Sequence, residues 1–267
     1  MAKKHLGQNF LFDPSILLNI IRAADLSAND TVIEIGPGPG RLTKLLSERV
    51  NKVIAIELDQ YLYNKLTEEL KGRNNIDLVL GDALKFPFER LERFKVVANI
   101  PYYITTPIIF RLIDARRSVE SMTLTIQKEV AERIVAGPGT KDYGVLSIMV
   151  QFRAEPDLKF IIPKEAFRPV PKVDSAVIHM KLRKEPAVSV RDEALFTRLV
   201  KTAFSQRRKT LSNSLKAFRD IRDILLQSGI DPQRRPETLS IAEFALLSDM
   251  LAAEDQGKPF HTTGSFQ

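Results

Sequence analysis

"TVIEIGPGPGRLTKLLSERVNKVIAIE", residues 31–57, decides the fold. A short β-branched run, Thr31 to Ile35, meets three alternating glycines, Gly36, Gly38 and Gly40. An amphipathic stretch follows to Val50, and a second apolar run from Lys52 ends on Glu57. Strand, glycine turn, helix, strand is the repeating unit of a parallel sheet. Further strands are expected at "IDLVL" (76–80), "KVVAN" (95–99) and "MTLTI" (122–126), with an amphipathic "QYLYNKLTEELK" (60–71) between them. On the other side, Asp13 before Pro14 reads as an N-cap with proline at the first helical position, opening "PSILLNIIRAA". Strands so nearly continuous in apolar residues imply helices on both faces of the sheet. "DLKFII" (157–162) and "VDSAVIHMKL" (173–182) suit an antiparallel pair closing it, for seven strands in a mostly parallel, Rossmann-like α/β sheet.

Beyond Pro186 the pattern is wholly helical, which places a domain boundary near Lys184. The expected division is 1–184 for the α/β domain and 185–255 for a small helical one. "AGPGTKDYG", Ala136 to Gly144, reads as a flexible loop. Residues 256–267, in a tail with few large apolar side chains, are expected to be disordered.

Several function classes are excluded or made remote by composition. No cysteine is present, so disulfides, zinc–thiolate sites and thiol nucleophiles are ruled out. The three histidines, His5, His179 and His261, are scattered, which argues against a metal cluster. No stretch approaches the ~18 consecutive apolar residues of a membrane span, and "MAKKHLGQNF" lacks the apolar core of a secretion signal. The expectation is a cytoplasmic protein without membrane or metal partners. Net charge is +7, and residues 183–235 carry 13 Lys/Arg against 6 Asp/Glu, so that segment accounts for the whole excess. Within it, Arg207, Arg208 and Lys209 stand among hydroxyl and amide side chains in "FSQRRKTLSNSL" (204–215), a mixture suited to phosphates and sugars of nucleic acid.

Polar residues recur at the strand ends: Glu57, then Asp82 in "LVLGDAL", then Asn99 in "VVANIPYYITTPI" (96–108). Ligands of open parallel sheets sit there. Arg41 stands where a dinucleotide fingerprint needs its third glycine, and Glu34 would repel a pyrophosphate, so NAD is a poor fit. Two carboxylates beside a glycine turn suit a nucleoside without phosphates: one for the ribose hydroxyls, one for the adenine amine. S-adenosylmethionine meets that description, with Glu34 and the turn near its amino-acid end.

The ordered set "GQNFL" (7–11), "EIGPGPG" (34–40), Glu57, "GDAL" (81–84), "NIPY" (99–102) and "FRPVPKVDSAV" (167–177) resembles the ribosomal RNA adenine dimethyltransferase family. The resemblance runs from about Lys4 to the helical domain. It implies a class I methyltransferase fold and S-adenosylmethionine as cofactor. It places Asn9 and Leu11 at the methionine part, Gly36 and Gly38 along it, Glu57 on the ribose and Asp82 at the adenine. Asn99, Ile100, Pro101 and Tyr102 would form the target-amine site, with Asn99 also beside the cofactor and Phe167 closing the other face of the base. The implied substrate is a pair of adjacent adenosines in a small-subunit rRNA hairpin, within an immature subunit, and the implied role is in small-subunit maturation.

The residues explain the chemistry on their own terms. An adenine amine is a poor nucleophile because its lone pair is delocalised. The Asn99 side-chain oxygen and the Ile100 carbonyl can accept its two hydrogens and localise that pair. Pro101 fixes the backbone that aims the carbonyl. Tyr102 offers a face for the purine, worth ~1–3 kcal/mol. Tyr103 is adequately read as a core aromatic. Rival readings are a large-subunit, macrolide-resistance methyltransferase and a non-catalytic ribosome assembly factor. A DNA adenine methyltransferase would more usually carry Asp-Pro-Pro-Tyr.

Overall fold

The computed structural model describes residues 9–256. In chain order the elements are β1 (Phe10–Leu11), α1 (Pro14–Ala23), β2 (Thr31–Ile35), α2 (Arg41–Ser47), β3 (Lys52–Glu57), α3 (Gln60–Glu69), β4 (Ile76–Leu80), β5 (Phe94–Asn99), α4 (Thr105–Asp114), β6 (Val119–Gln127) and α5 (Lys128–Val135). They continue as α6 (Val145–Arg153), β7 (Ala154–Ile162), β8 (Phe167–Arg168), β9 (Ser175–Leu182), α7 (Glu193–Ser205), α8 (Leu211–Ser214), α9 (Ile221–Gln227) and α10 (Ile241–Gln256).

Seven strands form one sheet in the order β4-β3-β2-β5-β6-β9-β7. β2 to β6 run parallel, and β9 pairs antiparallel with both β6 and β7. The four central parallel strands are buried almost end to end, as a sheet covered on both faces requires. β7, at the edge, alternates exposed and half-buried residues between buried ends and accommodates Pro156. Asp13 caps α1 as the sequence implies, its Oδ1 accepting from the Ser15 N–H at 2.8 Å, a contact typically worth ~1 kcal/mol. His179 is a packing residue whose Nδ1 lies 2.9 Å from the Thr123 hydroxyl.

The chain divides into two compact units, but not at a single boundary. Unit 1 is Met1–Val135 with Arg153–Lys184, and unit 2 is Ala136–Phe152 with Glu185–Gln267. The division expected at 1–184 is therefore corrected: residues 136–152 fold with the C-terminal helices. The cause is α6, whose Ile148 and Phe152 join Tyr143 in a core with Phe196, Leu199, Phe204 and Phe244. The Phe152 and Phe196 rings stack at 4.7 Å. The glycine-rich segment before α6 is tied down too. Gly139 N–H donates to the Glu237 carbonyl at 2.7 Å, and the Arg207 guanidinium donates to the carbonyls of Lys141 (2.8 Å) and Tyr143 (3.1 Å). A second segment, from Glu185, supplies α7 to α10. The tail expected to be disordered lies outside the described residues, apart from Gln256, which ends α10.

Candidate active site

The site is built at the carboxyl ends of β2, β3, β4 and β5, all within unit 1. The ladder continues past the strands: Gly36 N–H donates to Ile56 O at 2.9 Å, Gly81 N–H to Glu57 O at 2.9 Å, and Ile100 N–H to Thr125 O at 3.1 Å. These bonds hold the glycine turn, Glu57, the Gly81-Asp82 pair and Asn99 in adjacent positions. Glu57 then stitches two of the loops together. Its Oε2 accepts from Gly38 N–H at 3.2 Å and its Oε1 from Asp59 N–H at 2.8 Å. Burial pushes the Glu57 carboxyl up, and those two N–H groups pull it back. Gly38 has φ +57°, and a Cβ there would stand 2.8 Å from the Phe10 ring. No side chain fits between the turn and the N-terminal segment. Asp82 caps the following short turn through Oδ1, which accepts from Leu84 N–H at 2.9 Å.

At the end of β5, the Asn99 Nδ2 donates to the Asn9 carbonyl at 2.9 Å. An amide that donates on one side carries its acceptor oxygen on the other. Pro101, at φ −56° and ψ 129°, turns the chain into a single 3-10 turn over Tyr102–Ile104. The Tyr102 hydroxyl lies 2.8 Å from the Ser175 hydroxyl on β9.

These groups line one cavity that is open to solvent. Asn9, Gly36, Gly38, Glu57, Asp82, Asn99, Ile100, Pro101 and Tyr102 all face it. Its lining holds two carboxylates and no Lys or Arg among the described residues. Such a wall disfavours a pyrophosphate and accepts a nucleoside carrying positive charge. The apolar walls (Ile35, Ile56, Ala83 and Leu84 among them) give a flat base somewhere dry to lie. The residues therefore fit S-adenosylmethionine. Glu34 is not part of this wall, contrary to the expectation that it sits near the ligand. It is fully buried, and burial pushes its carboxyl up to about 8, which favours the neutral form.

A model of the family described as "Ribosomal RNA adenine dimethylase" matches residues 1–253. The chain belongs to that family. This dimethylase is a class I, S-adenosylmethionine-dependent methyltransferase acting on ribosomal RNA. It is 49% identical to a "Ribosomal RNA small subunit methyltransferase A" of Listeria welshimeri, over 94% of this chain and 91% of that protein. Among solved structures it is similar to a dimethyladenosine transferase from Plasmodium falciparum, with TM-score 0.78, 28% identity, and 93% of this chain and 98% of that one covered. It is also similar to the 23S rRNA methyltransferase ErmE, with TM-score 0.73 and 29% identity over 91% of this chain and 100% of that one.

Two residues that the resemblance placed at the dimethylase site have buried side chains. Leu11 and Phe167 face each other across the β1–β8 pair and are buried with Leu17, Ile20 and Ile21 of α1. Strand alternation explains it: Phe10 lines the cavity, so Leu11 points into the core. Likewise Phe167 has no exposed surface, whereas Arg168 is exposed. Of the basic cluster, Arg207, Arg208 and Lys209 are all exposed, yet Arg207 is engaged with the 136–144 segment as described. Tyr103 is corrected in the other direction. It is 54% exposed and lines the cavity, as does Leu58 at 50%. Leu58 and Tyr103 each directly follow a residue already assigned to the site. That adjacency was the available signal, since neither residue type suggests chemistry by itself.

Proposed function

We propose that this dimethylase adds two methyl groups to the exocyclic amine of each of two adjacent adenosines in a hairpin loop of small-subunit ribosomal RNA. It acts in the cytoplasm on an immature small subunit and contributes to the maturation of that particle. The observation that carries the reading is the fixed Asn99 amide. With Nδ2 spent on the Asn9 carbonyl, Oδ1 is left to accept a hydrogen from the target amine beside Tyr102. The 49% identity to a small-subunit enzyme, against 29% to a large-subunit one, favours the small-subunit target.

When bound, S-adenosylmethionine supplies a methyl group on a positively charged sulfur. Glu57 would hold the ribose hydroxyls with lone pairs not used by Gly38 and Asp59, and Asp82 would accept from the adenine amine. Asn9, Gly36 and Gly38 would hold the methionine end. The Asn99 oxygen and the Ile100 carbonyl take the two hydrogens of the target amine and draw its lone pair out of the ring. Pro101 holds that carbonyl in place, and Tyr102 stacks on the purine, which has left its own stack to enter. The product cation loses its proton to water, so no protein base is required. Arg208 and Lys209 hold phosphates of the RNA.

The test is methyl transfer from labelled S-adenosylmethionine to small subunits lacking adenine dimethylation, with large-subunit RNA in parallel and Asn99→Ala as control. Dimethyladenosine in a small-subunit loop, reduced at least about a hundredfold in the variant, is the expected result. Label in large-subunit RNA would move the enzyme to the other target. Tight subunit binding without label in either would support an assembly factor instead.

A further inference from the structure

Ser175 belongs to the "FRPVPKVDSAV" stretch, and no role described so far uses it. It is fully buried at the start of β9, paired in register with Gln127 of β6 on one side and Ile162 of β7 on the other. The residue before it is also pinned: the Asp174 carbonyl accepts from Lys128 N–H at 3.0 Å, and Asp174 Oδ1 accepts from Lys164 N–H at 3.1 Å. A hydroxyl held this firmly, 2.8 Å from the Tyr102 hydroxyl, is an anchor rather than a packing atom. Tyr102 itself sits in a short 3-10 turn with no other side-chain hydrogen bond among the described residues. The phenolic oxygen lies on the Cβ–Cγ axis, so the contact with Ser175 leaves rotation about that bond free and instead keeps the far end of the ring from swinging about Cα–Cβ.

We propose that Ser175 is a positioning residue that holds the far end of the Tyr102 ring in place, and that this matters most in the second methyl transfer. The inference rests on the proposed dimethylation. In the first round the target amine offers two hydrogens, to Asn99 and Ile100. After one methyl is attached, a single hydrogen remains and the new methyl crowds the pocket. The stacked ring must then supply more of the base's orientation. A phenylalanine at position 102 would stack but lack the anchor, which accounts for a tyrosine there.

The experiment is single-turnover methylation of small subunits lacking dimethylation, at saturating S-adenosylmethionine, with the wild type, Tyr102→Phe, Ser175→Ala and the double variant. Mass analysis counts monomethyl- and dimethyladenosine, and thermal melts confirm folding. Each single variant is expected to slow the second transfer about five- to tenfold, the scale of one lost hydrogen bond. The first transfer changes less, so monomethyladenosine accumulates. The double variant should be no worse than either single one, because both remove the same bond. If the wild type is active and the mono-to-dimethyl ratio is unchanged, or the losses add, the positioning role is overturned and the dimethylation reading stands. If the wild type leaves small-subunit RNA unmethylated, both fall. Should Ser175→Ala fail to fold, Tyr102→Phe cuts the same bond from the cavity side, and its product ratio alone decides.

Discussion

At Asn99, one amide orientation serves two backbones. Nδ2 holds the N-terminal segment through the Asn9 carbonyl, which leaves Oδ1 as the acceptor of a side chain that lines the cavity. A carboxylate cannot do both. Asn99→Asp would place a charged oxygen where Nδ2 now sits, 2.9 Å from a carbonyl oxygen, and the repulsion would turn the side chain. The substitution keeps a hydrogen-bond acceptor, so acceptor chemistry alone predicts an active enzyme. We expect instead a loss of at least about tenfold in kcat near pH 8, the scale of an unsatisfied polar contact plus a misplaced acceptor. The sign with pH follows from the geometry. Protonation gives the Asp side chain an O–H to donate to Asn9, which restores the arrangement, so the variant's activity relative to wild type should rise as pH falls towards 6. A flat ratio across that range, with kcat near wild type, would show that the Asn9 contact does not orient the acceptor. The types and spacings of Glu57, Asp82 and Asn99 were readable because Glu57 and Asn99 end apolar strands and Asp82 follows one by two residues. The Asn9 partner was not, because it lies 90 residues away and contributes only a carbonyl.

Among the elements, the helices after Lys184 show how a basic surface divides its labour. The Arg207–Lys209 cluster reads as uniform in sequence, but its members are differently employed. The Arg207 guanidinium bridges two carbonyls of the 136–144 segment and lies over the Phe204 ring at 6.0 Å. Arg208 and Lys209 have no recorded side-chain partner among the described residues. Arg207→Ala is therefore expected to cost ~1–3 kcal/mol in lost charge-assisted hydrogen bonds, lowering Tm by about 3–8 °C for a chain of this size. Arg208→Ala and Lys209→Ala should leave Tm within about a degree, weaken RNA binding and each reduce the salt slope of log K by about one. Equal melting points for all three, or an unchanged salt slope for the latter two, would contradict this division. The strands were legible because β-branched runs bounded by turns have little alternative. The burial of the Phe167 and Leu11 side chains was not legible for an equally physical reason: the two-residue β1–β8 pairing that buries them is too short to leave a pattern.

For the molecule as a whole, composition located the basic segment but not the path of the chain. The excess charge of residues 183–235 marks the C-terminal helices, and a cut at Lys184 looks natural from sequence. That cut would divide unit 2, because Ala136–Phe152 belongs to it. Tyr143, Ile148 and Phe152 are fully or almost fully buried against α7 and its neighbours. Removing residues 185–267 would expose all three, forfeiting ~1.5–3 kcal/mol of burial apiece and leaving an apolar helix in water. A chain ending at Lys184 should bind a hydrophobic dye strongly and aggregate on concentration. A matched chain, with 136–152 replaced by a Gly/Ser linker of the same length, should stay monomeric. It should also bind S-adenosylmethionine, because every cavity-lining residue lies between Asn9 and Ile104. The comparison separates two causes that a single truncation confounds. If both chains aggregate, unit 1 depends on the C-terminal helices for its own stability. If both are soluble, the α6 packing contributes little. Only the predicted contrast attributes the failure to the stranded helix, which the sequence could not reveal because α6 is as apolar as a strand of the sheet.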